Sequence, residues 1–486
     1  MVFGGLMLAM VTAALDQNIV NTALPQMVSD LGGLSHLSWI VTAFMLTSTA
    51  TTPMYGKLSD MYGRRRLFTV AILVFLAGSV LCGMAQSMSQ LILFRGLQGL
   101  GAGGLMTLAQ TVIGDLVEPR ERGRYQGLFT GAFAVSSVAG PLLGGVLTTQ
   151  LSWRWVFYVN VPVGVLALGL ILAGLRERPP ARVHRVDYLG ALLLTGATTA
   201  LLIVLSWGGA SHGWLSGEVV GLGLAAAALG VAFVAWEGRA AEPVMDLALF
   251  RNPVFSRCVA ASGMMAFAMM GALVFVPLYF QLVLGMSPTQ AGLMLLPQIA
   301  GMMATSILGG RFVSSTGRLR PFLVAGVGLE ALGLASIAAL ATLGATAAWF
   351  GAALLALGMG MGMGMPNVTT ALQNAVPPRE LGAATSAMSF VRALGGALGV
   401  AVAGGVMGAR LRGALAGAMP GVDVQTMLDR GIGQIAVLAA EPRMLVELAY
   451  RQAISSSMLV NGAMMTLAFV LVSTLPAQTL RGRVPA

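Results

Sequence analysis

The 486-residue chain is 57% hydrophobic and carries only 9% charged residues, whereas soluble domains carry about 25%. A water-soluble enzyme of this size is therefore excluded. The net charge of +10 would suit a nucleic-acid binder, but the basic residues lie in short segments between apolar stretches, and we expect no nucleic-acid partner. Cys82 and Cys258 lie in or beside apolar segments, so we expect neither a disulfide nor a metal site.

Apolar stretches of about 20 residues, each long enough to cross a bilayer as a helix, recur along the whole chain. Their number predicts an all-α integral membrane protein with fourteen transmembrane helices. The predicted helices cover residues 4–24, 36–56, 67–86, 91–114, 124–148, 155–175, 187–207, 217–236, 254–280, 289–313, 321–343, 346–371, 382–409 and 455–477.

Basic residues are unevenly divided between the two sides that this helix order creates. With the N-terminus inside, most of the 28 Lys and Arg residues fall on the inner side, and such residues concentrate in the cytoplasm. We therefore expect a multi-pass inner (plasma) membrane protein with both termini cytoplasmic. Residues 410–454 then form one large outer loop, for which capping of the outer mouth and simple solvation both stay open, as does a periplasmic or outer-membrane partner.

The chain contains an internal repeat. Residues 56–68 align without gaps on residues 310–322, an offset of 254, and residues 119–123 match 378–382 at an offset of 259. Repeats of this kind are typical of transporters whose substrate cavity lies between two halves near the membrane midplane. We expect two pseudo-symmetric six-helix halves that rock against each other.

Two helices, residues 187–236, have no counterpart in either half and are interpreted as an inserted pair. The predicted organisation is an N-terminal six-helix bundle (1–180), an inserted helix pair with linker (181–245) and a C-terminal six-helix bundle with the outer loop (246–486). Arg95 corresponds to Leu354 in the repeat. If ionisable groups perform the coupling, the N-terminal half carries that role.

Asp16 lies in the middle of the first predicted helix, where an ionised side chain costs at least ~2.5–3.5 kcal/mol. Asn18 and Asn21 follow it and are predicted to line a cavity. Burial favours the neutral form of a carboxyl group, so Asp16 could bind and release a proton or pair with a cationic substrate. A structural ion pair with Arg95 is the alternative, and a pair broken by protonation would itself be a switch.

The segment Gly56 to Phe68 joins helices two and three on the predicted inner side. Its glycines allow a tight turn and close helix contact, and an acid here can cap a neighbouring helix. We interpret the segment as a latch on the inward face, in which Arg64 or Arg66 reaches Asp115 at the end of helix four. The predicted latch residues are Gly56, Asp60, Gly63, Arg64, Arg66 and Asp115.

Arg95 lies just inside the fourth helix and keeps its proton under all ordinary conditions. We expect it to tune Asp16 or to hydrogen-bond to the backbone of the first helix. Gln98, one turn further on, is predicted to line the cavity. For Arg392 in helix thirteen, snorkelling, helix packing and cavity lining all stay open.

Helix five is rich in small residues that let another helix pack closely, and its proline bends the axis. The residues concerned are Gly127, Ser136, Gly140, Pro141, Gly144 and Gly145. Glu330 interrupts the apolar run of helix eleven, a repeat position that often faces lipid. A coupling role, a neutral acid and a partnered acid are all open for it.

These motifs resemble the fourteen-helix drug:proton antiporter family of the major facilitator superfamily, over nearly the whole chain. The resemblance rests on residues 15–25, 56–68, 95–99, 140–145, 186–190 and 243–252. Asn18 stands where the family usually has Thr, and Ser136 where its antiporter motif has Gly. An acid in helix thirteen, which some dication exporters of the family carry, is missing.

The resemblance implies the major facilitator fold and inward proton flow that drives export of amphipathic, often cationic compounds, with Asp16 as the proton-responsive acid. It implies no cofactor and no metal, because the proton gradient supplies the energy. The expected partners are small amphipathic substrates, protons and the lipid bilayer.

Three alternatives remain at this point: an exporter of lipids or lipid-linked compounds, a proton-coupled uptake symporter and a non-transporting sensor. The exporter and the symporter would share the fold. A membrane enzyme is not among them, because it would need clustered catalytic groups, whereas the three histidines are scattered and no HExxH, Gly-x-Ser-x-Gly or Walker pattern is present.

Overall fold

The computed structural model describes residues 1–32, 37–175, 187–208, 213–418 and 440–477, and these residues are almost entirely helical. The helices are α1 (Val2–Leu31), α2 (Leu37–Tyr62), α3 (Arg64–Met84), α4 (Met88–Leu116), α5 (Pro119–Gln150), α6 (Trp155–Tyr158), α7 (Asn160–Gly174), α8 (Tyr188–Trp207), α9 (Gly217–Glu237), α10 (Pro253–Leu282), α11 (Pro288–Leu293), α12 (Leu296–Thr316), α13 (Arg320–Leu343), α14 (Ala347–Ala375), α15 (Leu381–Ala418) and α16 (Ala440–Ser473).

The predicted fourteen-helix membrane architecture is confirmed by the structure. Thirteen helical segments of the described chain are long and apolar enough to cross a bilayer, with α6–α7 and α11–α12 each forming one of them. The fourteenth is α2, which is too polar to count by composition. Its Thr51 and Thr52 hydroxyls donate to the carbonyls of Thr47 and Ser48, each at 2.8 Å, and so satisfy themselves within an apolar bundle.

The sequence repeat recurs in the contacts between helices. The Thr52 hydroxyl on α2 donates to the Gly103 carbonyl on α4 at 3.3 Å, and the Ser306 hydroxyl on α12 donates to the Gly362 carbonyl on α14 at 3.1 Å. The partners are related by the two sequence offsets. Close contact of α2 with α4, and of α12 with α14, is thus the same structural unit used twice.

Each half has its own hydrophobic core. Two clusters draw only on residues between Leu6 and Leu175, whereas a third extends from Ala191 to Leu475. The inserted pair contributes Ala191 and Phe233 to the third cluster. Helix α8 also touches α2 of the first half, where Trp39 meets Trp207 edge to face with centroids 6.4 Å apart. Separate cores allow the halves to move as bodies.

The predicted outer loop 410–454 is wrong at both of its ends. Helix α15 continues to Ala418 and α16 begins at Ala440, because both helices extend beyond their apolar stretches. Residues 440–454 of the predicted loop therefore belong to α16. Residues 419–439 lie outside the described residues.

Candidate functional site

The centre of the candidate site is a buried ion pair between α1 and α4. Nη1 of Arg95 lies 2.6 Å from Oδ2 of Asp16, and the two residues are 1% and 0% exposed. Asp16 lies on a buried face of α1, and its described partners all belong to the same half. A charge removed from water at this depth requires such a partner.

Two amides complete the coordination of the carboxylate. Gln98 Nε2 donates to Asp16 Oδ1 at 2.8 Å, and Asn160 Nδ2 donates to the same oxygen at 2.7 Å. Ser79 Oγ accepts from both amides at 3.2 and 3.0 Å. Gln98, which the sequence predicts to line the cavity, is 0% exposed in this conformation and belongs to the Asp16 network.

Asn160 and Ser79 were missed by the sequence analysis. Asn160 opens α7, directly after the short helix α6, and is 1% exposed. A single polar residue early in a strongly apolar span was the available signal. Nothing in the sequence places Asn160 beside Asp16, because α1 and α7 meet only in the folded half.

Arg95 is held by more than its carboxylate. Its Nη1 also donates to Gln98 Oε1 at 2.7 Å, and its Nε donates to the Ile40 carbonyl of α2 at 3.3 Å. The guanidinium carbon lies 4.1 Å from the centroid of the Phe44 ring, within the range of a cation–π interaction. Arg95 therefore joins α1, α2 and α4, and its backbone partner is on α2 instead of the expected α1.

The other polar residues of α1 differ in their surroundings. Asn18 is half-buried, donates to the Ala14 carbonyl at 2.7 Å and packs beside Gly140 of α5. Asn21 and Gln17 are exposed and lie four residues apart, on one face of the helix. Asn21 thus keeps the accessibility that cavity lining requires, whereas Asn18 serves helix packing.

The predicted latch residues lie in one polar region where α2 and α4 end and α3 begins. Arg64 Nε lies 2.8 Å from Oδ2 of Asp115, and the same guanidinium is paired with Asp60 and donates to Ser59. Of the two arginines that could reach Asp115, Arg64 does so. Arg66 is exposed on the surface.

This cluster joins the two halves. Asp60 accepts from the backbone N–H groups of Gly382 and Ala383 at 3.2 and 2.8 Å, so it caps the N-terminus of α15. A carboxylate is favoured at this end of the helix dipole. Gly56 packs directly on Ser386, where a β-carbon would collide, and Gly63 takes a positive φ of 96° before α3.

The small residues of α5 divide into three groups. Gly127 packs against the Ser306 backbone of α12, which is a second contact between the halves. Gly140 and Gly144 pack against α1, whereas Gly145 has open space around it, so close packing does not explain it. Pro141 is exposed inside the helix, and Ser136 is buried with its hydroxyl donating to the Ala132 carbonyl at 2.9 Å.

Glu330 does not face lipid, contrary to the expectation for its repeat position. The residue is 0% exposed, and both carboxylate oxygens lack a hydrogen-bond partner within the part of the chain that the structure describes. Its side chain fills the space left by Gly360 and Gly364 of α14. Helix α13 turns this residue inward because those glycines provide room there.

Arg392 joins three helices of the second half. Its Nε donates to Ser262 Oγ of α10 at 2.9 Å, and its Nη2 donates to Thr369 Oγ1 of α14 at 3.2 Å. Both hydroxyl partners are buried, while Arg392 itself keeps partial exposure. This geometry agrees with both helix packing and an accessible guanidinium.

The chain is similar to one protein family and to several proteins of known name over most of its length. Residues 6–400 match the model of the Major Facilitator Superfamily. Multidrug transporter protein MdtP of Bacillus subtilis (strain 168) is 39% identical over 399 residues, which cover 82% of this chain and 73% of that protein. Multidrug resistance protein 3 of the same organism is 37% identical over 402 residues, covering 82% and 77%. Efflux pump FUS6 of Gibberella fujikuroi is 34% identical over 413 residues, covering 83% and 74%.

Solved structures share the fold at low sequence identity. The human organic anion transporter MFSD10 has a TM-score of 0.64 at 16% identity and covers 97% of both chains. A bacterial homologue of the iron transporter ferroportin, in an outward-facing state, has a TM-score of 0.63 at 14% identity, covering 97% and 98%. These likenesses establish the architecture alone.

Proposed function

Because the chain belongs to the Major Facilitator Superfamily, we propose that it exports amphipathic compounds in exchange for protons. Family membership makes it a membrane transporter and not an enzyme. The names of its relatives, which include multidrug transporter, multidrug resistance protein and efflux pump, support export as the direction. The observation that carries proton coupling is the buried pair of Asp16 and Arg95.

Protonation of Asp16 would change the charge balance of the whole network. As an anion, Asp16 is matched by Arg95 and by two amide donors. A proton on the carboxyl group removes the attraction and leaves the Arg95 guanidinium without a counter-ion at 1% exposure. Because that state is costly, proton binding favours a rearrangement of α1 against α4.

Helix α4 connects this pair to the latch. Arg95 lies in its first half, and Asp115, which pairs with Arg64, lies at its end. A helix transmits displacement along its axis because its hydrogen bonds are all internal. In the proposed cycle, a proton on Asp16 shifts α4 and weakens the cluster that holds Asp60 on α15.

The described contacts between the halves support a conformation in which the two halves are joined at one end of the bundle. Asp60 bonds to the start of α15, Gln373 Nε2 donates to the Gln110 carbonyl at 3.1 Å, and Gly127 packs on Ser306. These contacts gather toward the end of the bundle where α1 begins and α16 ends. We propose that this end is cytoplasmic, from the excess of basic residues there, and that the cavity is reached from the other side.

The substrate charge that the sequence predicts is positive, with Asp16 as its partner. In this conformation Arg95, Gln98 and Asn160 fully occupy the carboxylate, so a cation would first have to displace Arg95. The proton gradient supplies the energy, and neither a cofactor nor a metal enters the proposal. We place the protein in the inner (plasma) membrane with both termini cytoplasmic.

Everted membrane vesicles test the exchange directly. Respiration acidifies their interior, and a pH-sensitive dye reports the gradient while ethidium or dansylamino-undecanoic acid is added. Antiport predicts that at least one of these compounds releases protons from vesicles with the native protein, and from none with Asp16→Asn. Asp30→Asn is the matched control, because Asp30 lies on the same helix, is exposed and accepts a hydrogen bond from Trp153 Nε1 at 2.8 Å.

Equal amounts of protein in each vesicle preparation must be shown. If neither compound collapses the gradient with the native protein, export of such compounds by proton antiport is wrong. If Asp16→Asn retains full exchange, the antiport stands and its proton site lies elsewhere.

A further inference from the structure

We propose that Arg392 binds the acidic group of the transported molecule, so that the protein prefers amphipathic carboxylates and zwitterions to simple cations. The inference rests on the proposed transport function and names the class of substrate. It starts from a guanidinium inside the second half whose partners, among the described residues, are two hydroxyl groups and no carboxylate.

The hydrogen bonds of Arg392 leave most of its donors unused. A guanidinium offers five N–H groups, and the described contacts are those to Ser262 at 2.9 Å and Thr369 at 3.2 Å. Both partners are neutral hydroxyls with exposures of 0% and 1%. They fix the side chain in position and compensate none of its charge.

In the part of the chain that the structure describes, Arg392 forms no ion pair, and its hydrogen bonds go to two hydroxyl groups. Helices α10, α12, α14 and α15 have no Asp or Glu in their sequences. Glu330 is the acid of α13, but both of its oxygens are without a hydrogen bond in the described residues. In the first half Asp16 is already occupied by Arg95. Among the described residues Arg392 thus has no counter-ion, and a carboxylate of the substrate would supply one.

The position of Arg392 allows a substrate to reach it. Two helical turns earlier on α15, Thr385 accepts from Gln373 Nε2, and that same atom donates to the Gln110 carbonyl of α4. These residues form a floor between the halves. Arg392 stands about 10 Å beyond the floor along α15, on the side away from the latch, and keeps partial exposure.

The electrostatics of this arrangement favour an anion. An uncompensated cation within the bilayer is costly, and a carboxylate can accept from a guanidinium through two parallel hydrogen bonds. The Asp16–Arg95 pair is neutral as a whole. Of these charged groups, the one left without a counter-ion among the described residues is Arg392.

A binding experiment separates this role from simple helix packing. The probes are dansylamino-undecanoic acid and its primary amide, which share shape and apolar area and differ in the acid group. Purified native protein should bind the acid more tightly than the amide by roughly ten-fold or more, as expected for a hydrogen bond between charged groups. In Arg392→Gln this ratio should fall to about one while affinity for the amide is retained, and Arg392→Lys should give an intermediate ratio.

The matched control is Arg412→Gln, which removes the same charge from an exposed position near the other end of α15 and should keep the native ratio. Retained amide binding shows that Arg392→Gln is folded. An acid-to-amide ratio near one in the native protein, or an unchanged ratio in Arg392→Gln, overturns the inference.

Failure of the inference and failure of the proposed function give different results. Proton-coupled export of ethidium with no acid preference leaves the transport proposal standing and refutes the role of Arg392. An Arg392-dependent acid preference without proton release by any compound supports the binding site and refutes the antiport.

Discussion

Arg95 and Asp115 lie on one continuous helix, α4, about 30 Å apart along its axis. One holds the buried carboxylate of Asp16, and the other holds Arg64 in the cluster that joins the two halves. The proton site and the latch therefore share a rigid element. Events at one end of α4 can reach the other without a change in its internal hydrogen bonds.

The latch should open when Arg64 loses its charge. In Arg64→Gln, Asp60 and Asp115 no longer share a cation and repel each other. We expect the population with separated halves at this end to rise several-fold. Spin labels at Tyr62 and Arg379, both exposed, would report a longer distance, and the buried Cys82 and Cys258 would escape labelling.

The repeat supplies the control for this measurement. Arg318 occupies the position equivalent to Arg64 in the second half and is exposed. Arg318→Gln removes the same charge from the same sequence context and should leave the distance distribution unchanged. Equal distributions for the native protein and Arg64→Gln would refute the latch.

The Asp16–Arg95 pair should show strong coupling in stability. Removing one partner of a buried pair leaves an uncompensated charge and costs about 3–5 kcal/mol. We expect Asp16→Asn and Arg95→Gln each to lower the melting temperature, and the double variant to recover much of the loss. Thermal unfolding of the four proteins gives the coupling energy, and additive losses would contradict it.

The sequence was sufficient for the fold because apolar length and the repeat are local signals. It predicted fourteen spans, with α2 among them although its composition is polar. The sequence misplaces the C-terminal end of α15 and the start of α16, because helices continue beyond their apolar stretch when no residue breaks them. Helix length past the membrane surface leaves little trace in hydropathy.

The candidate site was predictable in its charges and less so in its contacts. An acid and an arginine in neighbouring helices indicated each other, and the structure pairs Asp16 with Arg95. The amide of Asn160 comes from a distant span and required the packing of α7 on α1. The inward rotation of Glu330 likewise depends on Gly360 and Gly364, which are glycines of another helix.

Substitution by Ala should change stability differently at Gly144 and at Gly145. A β-carbon at Gly144 would lie 2.9 Å from the Ile19 carbonyl oxygen, whereas at Gly145 nothing lies within 4 Å. Gly144→Ala should therefore push α5 away from α1 and cost about 1–3 kcal/mol. Gly145→Ala should be neutral or slightly stabilising. Melting temperatures in detergent compare the two, and equal effects would refute the close α1–α5 contact.

Glu330 should be a neutral carboxylic acid in the resting protein. An ionised carboxylate at 0% exposure without hydrogen bonds would be far more costly than its protonated form. Infrared spectra of the native protein at neutral pH should show the carbonyl stretch of a protonated acid, and this band should vanish in Glu330→Gln. Asp30→Asn is the control, because Asp30 is exposed and bonded to Trp153.

Stability gives an independent measure of the same group. Gln has nearly the shape of a protonated Glu, so Glu330→Gln should unfold within about 1 kcal/mol of the native protein. A large loss on this substitution would mean that the charged form stabilises the native state. A carbonyl band that survives in Glu330→Gln would place the protonated acid elsewhere in the protein and would refute the assignment to Glu330.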